Sequence, residues 1–189
     1  RIFNTCPHKI IVRLNLPHSQ FKKISSEPRK LLSGKFKELA DCKFLLMPGR
    51  WGQYKNQSRV IKSLKLYNNK NLNKLKLVLT GIGNDIEEIN LFMEHNNLSK
   101  ENLIIYSSIE SFELIQLYQN AYALIFPSLL GPTSLPLYEA LENNCPIITS
   151  NLDGHKEVLG EAAIFVDPLS EDSIYNSLTK LNASEVISL

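Results

Sequence analysis

No apolar run in this chain approaches the roughly 20 residues needed to cross a bilayer, which excludes an evident helical membrane span. Cysteine is scarce as well. Cys6, Cys42 and Cys145 lie far apart, show no metal-ligand spacing and cannot all pair with one another, so neither a disulfide scaffold nor a zinc module is expected. None of the four histidines stands at ligand spacing from Cys, Asp or Glu. No internal repeat is visible, and the opening residues do not read as a signal peptide. The first residue is Arg1 rather than Met, and the expectation is a piece of a longer, cytoplasmic protein.

Acidic residues are nearly missing from the first part of the chain. Residues 1–79 hold 18 of the 21 Lys/Arg but only 3 of the 19 Asp/Glu, a balance of +15, whereas residues 80–189 stand at −13; the net charge of +2 hides this split. A basic face can meet an anionic membrane, which would place the protein peripherally at the inner leaflet. It can also meet nucleic acid, but aromatic–basic interleaving and nucleic-acid motifs are absent, so no nucleic-acid partner is expected. A solvated Lys-rich surface attracted to the acidic half accounts for the same numbers.

What is present is a regular alternation. Apolar runs at 43–48, 75–80, 102–106, 122–126, 145–149 and 163–167 lack the alternating pattern of a half-exposed strand and fit parallel strands covered on both faces. Between them lie helical patterns: Val60, Leu64 and Tyr67 share a face, as do Ile86, Ile89 and Met93, and Leu114 with Tyr118. Asp85 and Ser111 are the expected N-caps of the second and third helices. Lys9–Leu16 reads as a short strand and 17–37 as linker. The fold class expected is α/β, a Rossmann-like doubly wound parallel sheet of about six strands. Ligands in such sheets sit beyond the carboxyl ends of the strands.

The loops at those ends carry the candidate chemistry. After the strand ending at Phe126 come Ser128-Leu129-Leu130-Gly131-Pro132-Thr133-Ser134-Leu135-Pro136, then a helix with Glu139 one turn in. A helix N-terminus behind a small-residue loop offers free N–H groups and a positive dipole end to an anion, and a carboxylate there can accept sugar hydroxyls. Pro136 suits a first helical turn. Arg50 and Lys55 stand in the Gly-containing loop Pro48–Asn56 after the first strand. Thr80-Gly81-Ile82-Gly83-Asn84-Asp85 fails as a dinucleotide fingerprint, because the third glycine would fall at Ile86. His155 lies in the loop after the fifth strand and is expected to be exposed.

These segments resemble the donor-binding half of glycosyltransferase family 4, retaining enzymes of the GT-B fold, over about residues 40–180 and most strongly over 123–168. In that family a Gly-Arg pair, followed by a Lys five residues after the Arg, grips the donor diphosphate; Gly49, Arg50 and Lys55 match. The usual loop carries two glutamates in an E-x7-E pattern. Glu139 matches the second, which binds the ribose, while Gly131 stands where the first belongs, within what looks like a GPT-type variant of the loop. The resemblance further implies backbone approach to the donor at Gly81, an apolar contact to the nucleobase from Ile109, and phosphate or sugar binding by the backbone of Thr133, Ser134 and Leu135. Gly154, Glu157 and Val158 match a segment that shapes the sheet end.

The reading is therefore one half of a GT-B fold: an interdomain segment over 1–39 and a nucleotide-sugar donor-binding domain over 40–189. An N-terminal acceptor domain would lie elsewhere in the protein. The implied reaction is retaining hexosyl transfer from a nucleotide diphosphate sugar to a glycan or lipid-linked acceptor, in polysaccharide biosynthesis. No metal or cofactor is expected, and the isolated domain is expected to be inactive. Arg50 and Lys55 would stabilise the leaving diphosphate, a differential effect on the transition state. Two rivals stay open: a non-catalytic interaction module, with Gly131 marking lost chemistry, and another GT-B activity such as a sugar-nucleotide epimerase.

Overall fold

The computed structural model describes residue 32, residues 34–131 and residues 134–183. The expected strand at 9–16, together with Pro132 and Thr133, lies outside the described residues. Six strands form one parallel sheet: β1 (Phe44–Pro48), β2 (Lys76–Thr80), β3 (Leu103–Tyr106), β4 (Ala123–Phe126), β5 (Ile147–Ser150) and β6 (Ile164–Val166). Their order is β3-β2-β1-β4-β5-β6. The helices between and after them are α1 (Gln57–Lys70), α2 (Ile86–His95), α3 (Ser111–Asn120), α4 (Leu135–Glu142), α5 (Asp153–Leu159) and α6 (Glu171–Ala183).

The strand sequences are continuously apolar because both faces are covered. Leu45 and Met47 of β1 point into a core with α1, α2 and α6, where Val60, Leu64, Tyr67, Ile89, Met93 and Leu178 are buried. Phe44 and Leu46 point the other way, into a second core with Ile115, Tyr118, Leu137 and Ala140 of α3 and α4. Full burial of such a side chain stabilises by about 1.5–3 kcal/mol, and every residue of β1 and β4 is buried. The doubly wound sheet expected from the apolar runs is the one observed.

Several local expectations change. Gly34–Leu39 forms a 3-10 turn whose Phe36 and Leu39 are buried in the second core, so packing begins before residue 40 and inside the stretch read as linker. Ile86 is 39% exposed, while Ile82, just before the helix, is fully buried and takes the inward place. Asp85 precedes α2 but makes no side-chain capping bond; its carboxylate is engaged elsewhere. The N-cap of α3 is Glu110 rather than Ser111, and the Glu113 carboxylate accepts the Glu110 N–H at 2.9 Å. Glu113 also receives Lys35 at 2.6 Å, which fastens the 3-10 turn to α3.

Candidate functional site

The strand order reverses direction between β1 and β4, which pair through Leu45–Ala123 and Leu46–Leu124. Loops leaving these two strands must diverge to opposite faces, and the crevice between them is where an open α/β sheet receives its ligand. The loop after β1 holds Gly49, Arg50 and Lys55; the loop after β4 leads through Ser128 and Gly131 to Ser134 and α4.

Gly49 has φ +116, a backbone state that favours glycine. A side chain there would also be crowded, since a Cβ built on Gly49 would lie 3.4 Å from Lys55 Cε and 3.5 Å from Nζ. Lys55 thus folds back over its own loop, and its ammonium sits 4.6 Å from the centre of the Phe126 ring at the end of β4. Burial lowers its pKa from the ordinary lysine value. Gly81 follows β2 directly, and a Cβ on it would lie 3.8 Å from Gly49 N. The structure therefore brings Gly49, Lys55 and Gly81 together.

Arg50 is exposed and turned to Asp85, with its Nη2 2.7 Å and Nε 3.2 Å from the two carboxylate oxygens. The pair holds Asp85 below the ordinary carboxylate range, chiefly through the hydrogen bond from Arg50, and raises Arg50 in turn. Asp85 is thus an ion-pair partner across 35 positions rather than a helix cap.

The two loops are tied directly. Leu129 N–H donates to Tyr54 O at 2.8 Å. Asn56, buried and at φ +69, donates from Nδ2 to Pro127 O at 2.9 Å and to Pro168 O at 2.6 Å, while its Oδ1 accepts Arg59 at 2.8 Å. The Ser150 hydroxyl donates to Ser128 O, and the Thr149 hydroxyl lies 3.0 Å from Phe126 O.

Gly131 has φ +115, again a conformation for glycine, and a Cβ there would meet Ser134 Oγ at 3.5 Å. Ser134 is the N-cap position of α4 in extended backbone, with Pro136 in the first turn as expected and Leu135 exposed at the helix start. Glu139 is half-buried, not solvated. Its Oε2 accepts the Tyr118 hydroxyl at 2.9 Å, and burial raises its pKa above the ordinary carboxylate value despite that bond. Ile109 lies in the loop after β3, partly buried against the second core. Thr133 belongs to this loop but lies outside the described residues.

His155 departs from expectation. It stands on α5, fully buried, with Nδ1 2.8 Å from Thr149 Oγ1 and Nε2 3.0 Å from Gly131 O. Its link to Gly131 spans 24 positions, and nothing in the local sequence signals it. Glu157 is exposed on the same helix. Among the described residues, no three His, Cys, Asp or Glu side chains gather as a metal site, and no helix is long and apolar enough to cross a membrane.

Solved structures share this fold. An α,α-trehalose-phosphate synthase (UDP-forming) from Burkholderia vietnamiensis superposes with a TM-score of 0.73 at 12% identity, over 93% of this chain and 45% of that one. A sucrose-phosphate synthase from Thermosynechococcus elongatus gives 0.66 at 18% identity, over 89% and 40%. Both are GT-B glycosyltransferases, and the sheet described above is one half of that architecture. In sequence, the chain is 32% identical over 82 residues to the O-antigen chain mannosyltransferase RfbU of Salmonella typhimurium, covering 43% of this chain and 23% of that protein. It is 34% identical over 62 residues to O-antigen chain mannosyltransferase B of Escherichia coli, covering 33% and 16%. The matched segments thus span less than a quarter of these relatives' length. The family model for glycosyl transferases group 1 matches residues 29–186, which takes in every strand and both loops of the crevice. The chain belongs to the glycosyl transferases group 1 family.

Proposed function

We propose that this chain carries the donor site of a retaining, metal-independent glycosyltransferase. It would move a hexose from a nucleotide diphosphate sugar to a glycan or lipid-linked glycan in surface polysaccharide synthesis. The observation that carries the reading is the convergence of Lys55, Gly49 and Gly81 at the β1/β4 reversal, facing the loop that opens α4. A half-buried cation beside bare backbone suits a diphosphate, because glycine lets the phosphate oxygens approach and the low local dielectric strengthens the charge contact. The two relatives named as O-antigen mannosyltransferases support mannose as the hexose to test first.

In this reading Lys55 and Arg50 bind the diphosphate, the start of α4 meets phosphate or sugar oxygens, and Glu139 accepts the ribose hydroxyls. Tyr118 holds one carboxylate oxygen of Glu139 and so orients it. Transfer breaks the bond from the anomeric carbon to phosphate oxygen, and its electron pair leaves with the diphosphate. The acceptor hydroxyl attacks on the same face and gives its proton to the departing phosphate. No protein nucleophile is needed. The acceptor site and the closing of the cleft belong to a second domain of the same protein.

The idea of a decayed, non-catalytic module rested on Gly131 standing in place of a glutamate. Gly131 sits at φ +115, a backbone state that favours glycine, which supports reading the loop as a variant. The test is calorimetric titration with GDP, UDP and ADP and with GDP-mannose, alongside Arg50→Ala and Glu139→Ala. One nucleotide should bind, and each substitution should weaken it about tenfold or more. A wild-type chain that binds none of them, or binding that both variants leave unchanged, overturns the reading.

A further inference from the structure

The loop between β4 and α4 is held from behind by side chains, carbonyl by carbonyl. Pro127 O takes Asn56 Nδ2, Ser128 O takes the Ser150 hydroxyl, and Gly131 O faces His155 Nε2. The first two partners are a neutral amide and a hydroxyl. The third is an imidazole, and its surroundings bear on its state. A backbone carbonyl only accepts, so Nε2 must carry a proton to bond Gly131. The Thr149 hydroxyl can either accept from Nδ1 or donate to it. Burial holds the ring below the ordinary histidine pKa, which favours the neutral form. A neutral ring has one N–H; it is then the Nε2–H tautomer, with Thr149 giving its one hydroxyl proton to Nδ1 at 2.8 Å and not to Phe126 O at 3.0 Å.

His155 is far too well placed for a spacer. It is fully buried on α5, meets Thr149 of β5, and ends on Gly131, whose φ of +115 favours glycine. Resting on the donor-site reading above, we propose that His155 is a positioning residue of that site: its Nε2–H fixes the Gly131 carbonyl and so holds Gly131 beside Ser134, where the start of α4 would meet a nucleotide diphosphate sugar. It touches neither sugar nor phosphate, and acts through Gly131.

The test compares His155→Gln, whose amide N–H can reach the place of Nε2, with His155→Leu, which fills the space without a donor. Three readouts are taken on the full chain: the ring tautomer from imidazole nitrogen shifts, the amide shifts of Leu130, Gly131 and Ser134, and the Kd for GDP and GDP-mannose. The expected results are an Nε2–H ring, loop amides displaced and affinity lowered about tenfold in the Leu variant, and both restored to within about threefold in the Gln variant. An Nδ1–H ring, or loop amides and Kd unmoved by Leu, overturns the proposal. So does a Gln variant as impaired as Leu, since that marks a packing role only. Should the Leu variant not fold, the wild-type tautomer and the Gln variant still decide. Should no nucleotide bind wild type while the loop amides follow the Leu and Gln pattern, the hold on the loop stands and the donor reading falls.

Discussion

The two loops that flank the sheet reversal solve opposite problems. The loop after β1 supplies charge. It carries Arg50 on an exposed side chain and Lys55 on a half-buried one, and its glycine is there to let the ammonium lie close. The loop after β4 carries no ionisable side chain from Pro127 to Leu137. It supplies shape, and its carbonyls are fixed from behind by Asn56, Ser150 and His155. The difference teaches how such a crevice can be held without a ligand: cations are parked against an aromatic ring or an aspartate, and the neutral wall is fixed by bonds within the protein.

The sharpest way to break that contrast is at the residue joining both walls. Asn56→Ala leaves the buried Pro127 carbonyl and the half-buried Pro168 carbonyl unpaired and puts alanine at φ +69, so stability should fall by about 3 kcal/mol, seen calorimetrically as a melting point about 6–12 °C lower. Removing charge alone should separate binding from stability. Lys55→Ala should lose about 10–100-fold in nucleotide affinity with little change in melting point. In the wild type, affinity should decline with rising pH before the ordinary lysine pKa is reached, because the folded ammonium gives up its proton early. Altering shape alone is the reverse experiment. Gly131→Glu restores the two-glutamate spacing but forces a side chain into φ +115, and it should cost about 1–3 kcal/mol without raising transferase activity.

Glu139 sharpens the comparison through pH. Its folded pKa is raised, so the folded chain holds this proton more tightly than the unfolded one. The stability it contributes is therefore complete below the ordinary pKa of 4.5 and is lost as pH rises through the raised value. Glu139→Gln should raise the melting point by about 2–4 °C at pH 7, leave it unchanged near the acid end, and weaken nucleotide binding. The smallest effect is expected from Asp85→Asn, which frees Arg50. Nucleotide affinity should tighten, by less than about fivefold, and equal or weaker binding would show that Asp85 aims Arg50 rather than restrains it.

The sheet was legible because its signal is local. Strands covered on both faces read as unbroken apolar runs, and Phe44–Pro48 and Ala123–Phe126 lie where those runs predict them. Lys55, Gly49 and Gly81 were legible as loop residues at strand ends. What stayed hidden depends on partners distant in sequence. Asp85 has the residue type and place of a cap, yet Arg50, 35 positions earlier, claims its carboxylate. Phe36 and Leu39 sit in a Lys- and Ser-rich stretch, and only the neighbouring helices show that they are core. His155 offers no local cue at all, since its meaning comes from Thr149 and Gly131. Its polar neighbours at the end of β5 were the available hint, because a strand that ends in Thr149 and Ser150, both fully buried, must be bonding something.

The short pairing of β1 with β4 also bears on how the domain comes into being. Every other strand pairs with its nearest neighbour in the chain or joins it through one helix, whereas Leu45 meets Ala123 only after most of the sheet-forming sequence between them has been made. Among the strand pairings this one spans the longest stretch of chain and so carries the largest loop-closure cost. The crevice lies on this seam. Neither the β1–β3 half nor the β4–β6 half contains it, so it exists only when both have docked, and a chain stalled halfway through folding has no partial site with which to capture its ligand.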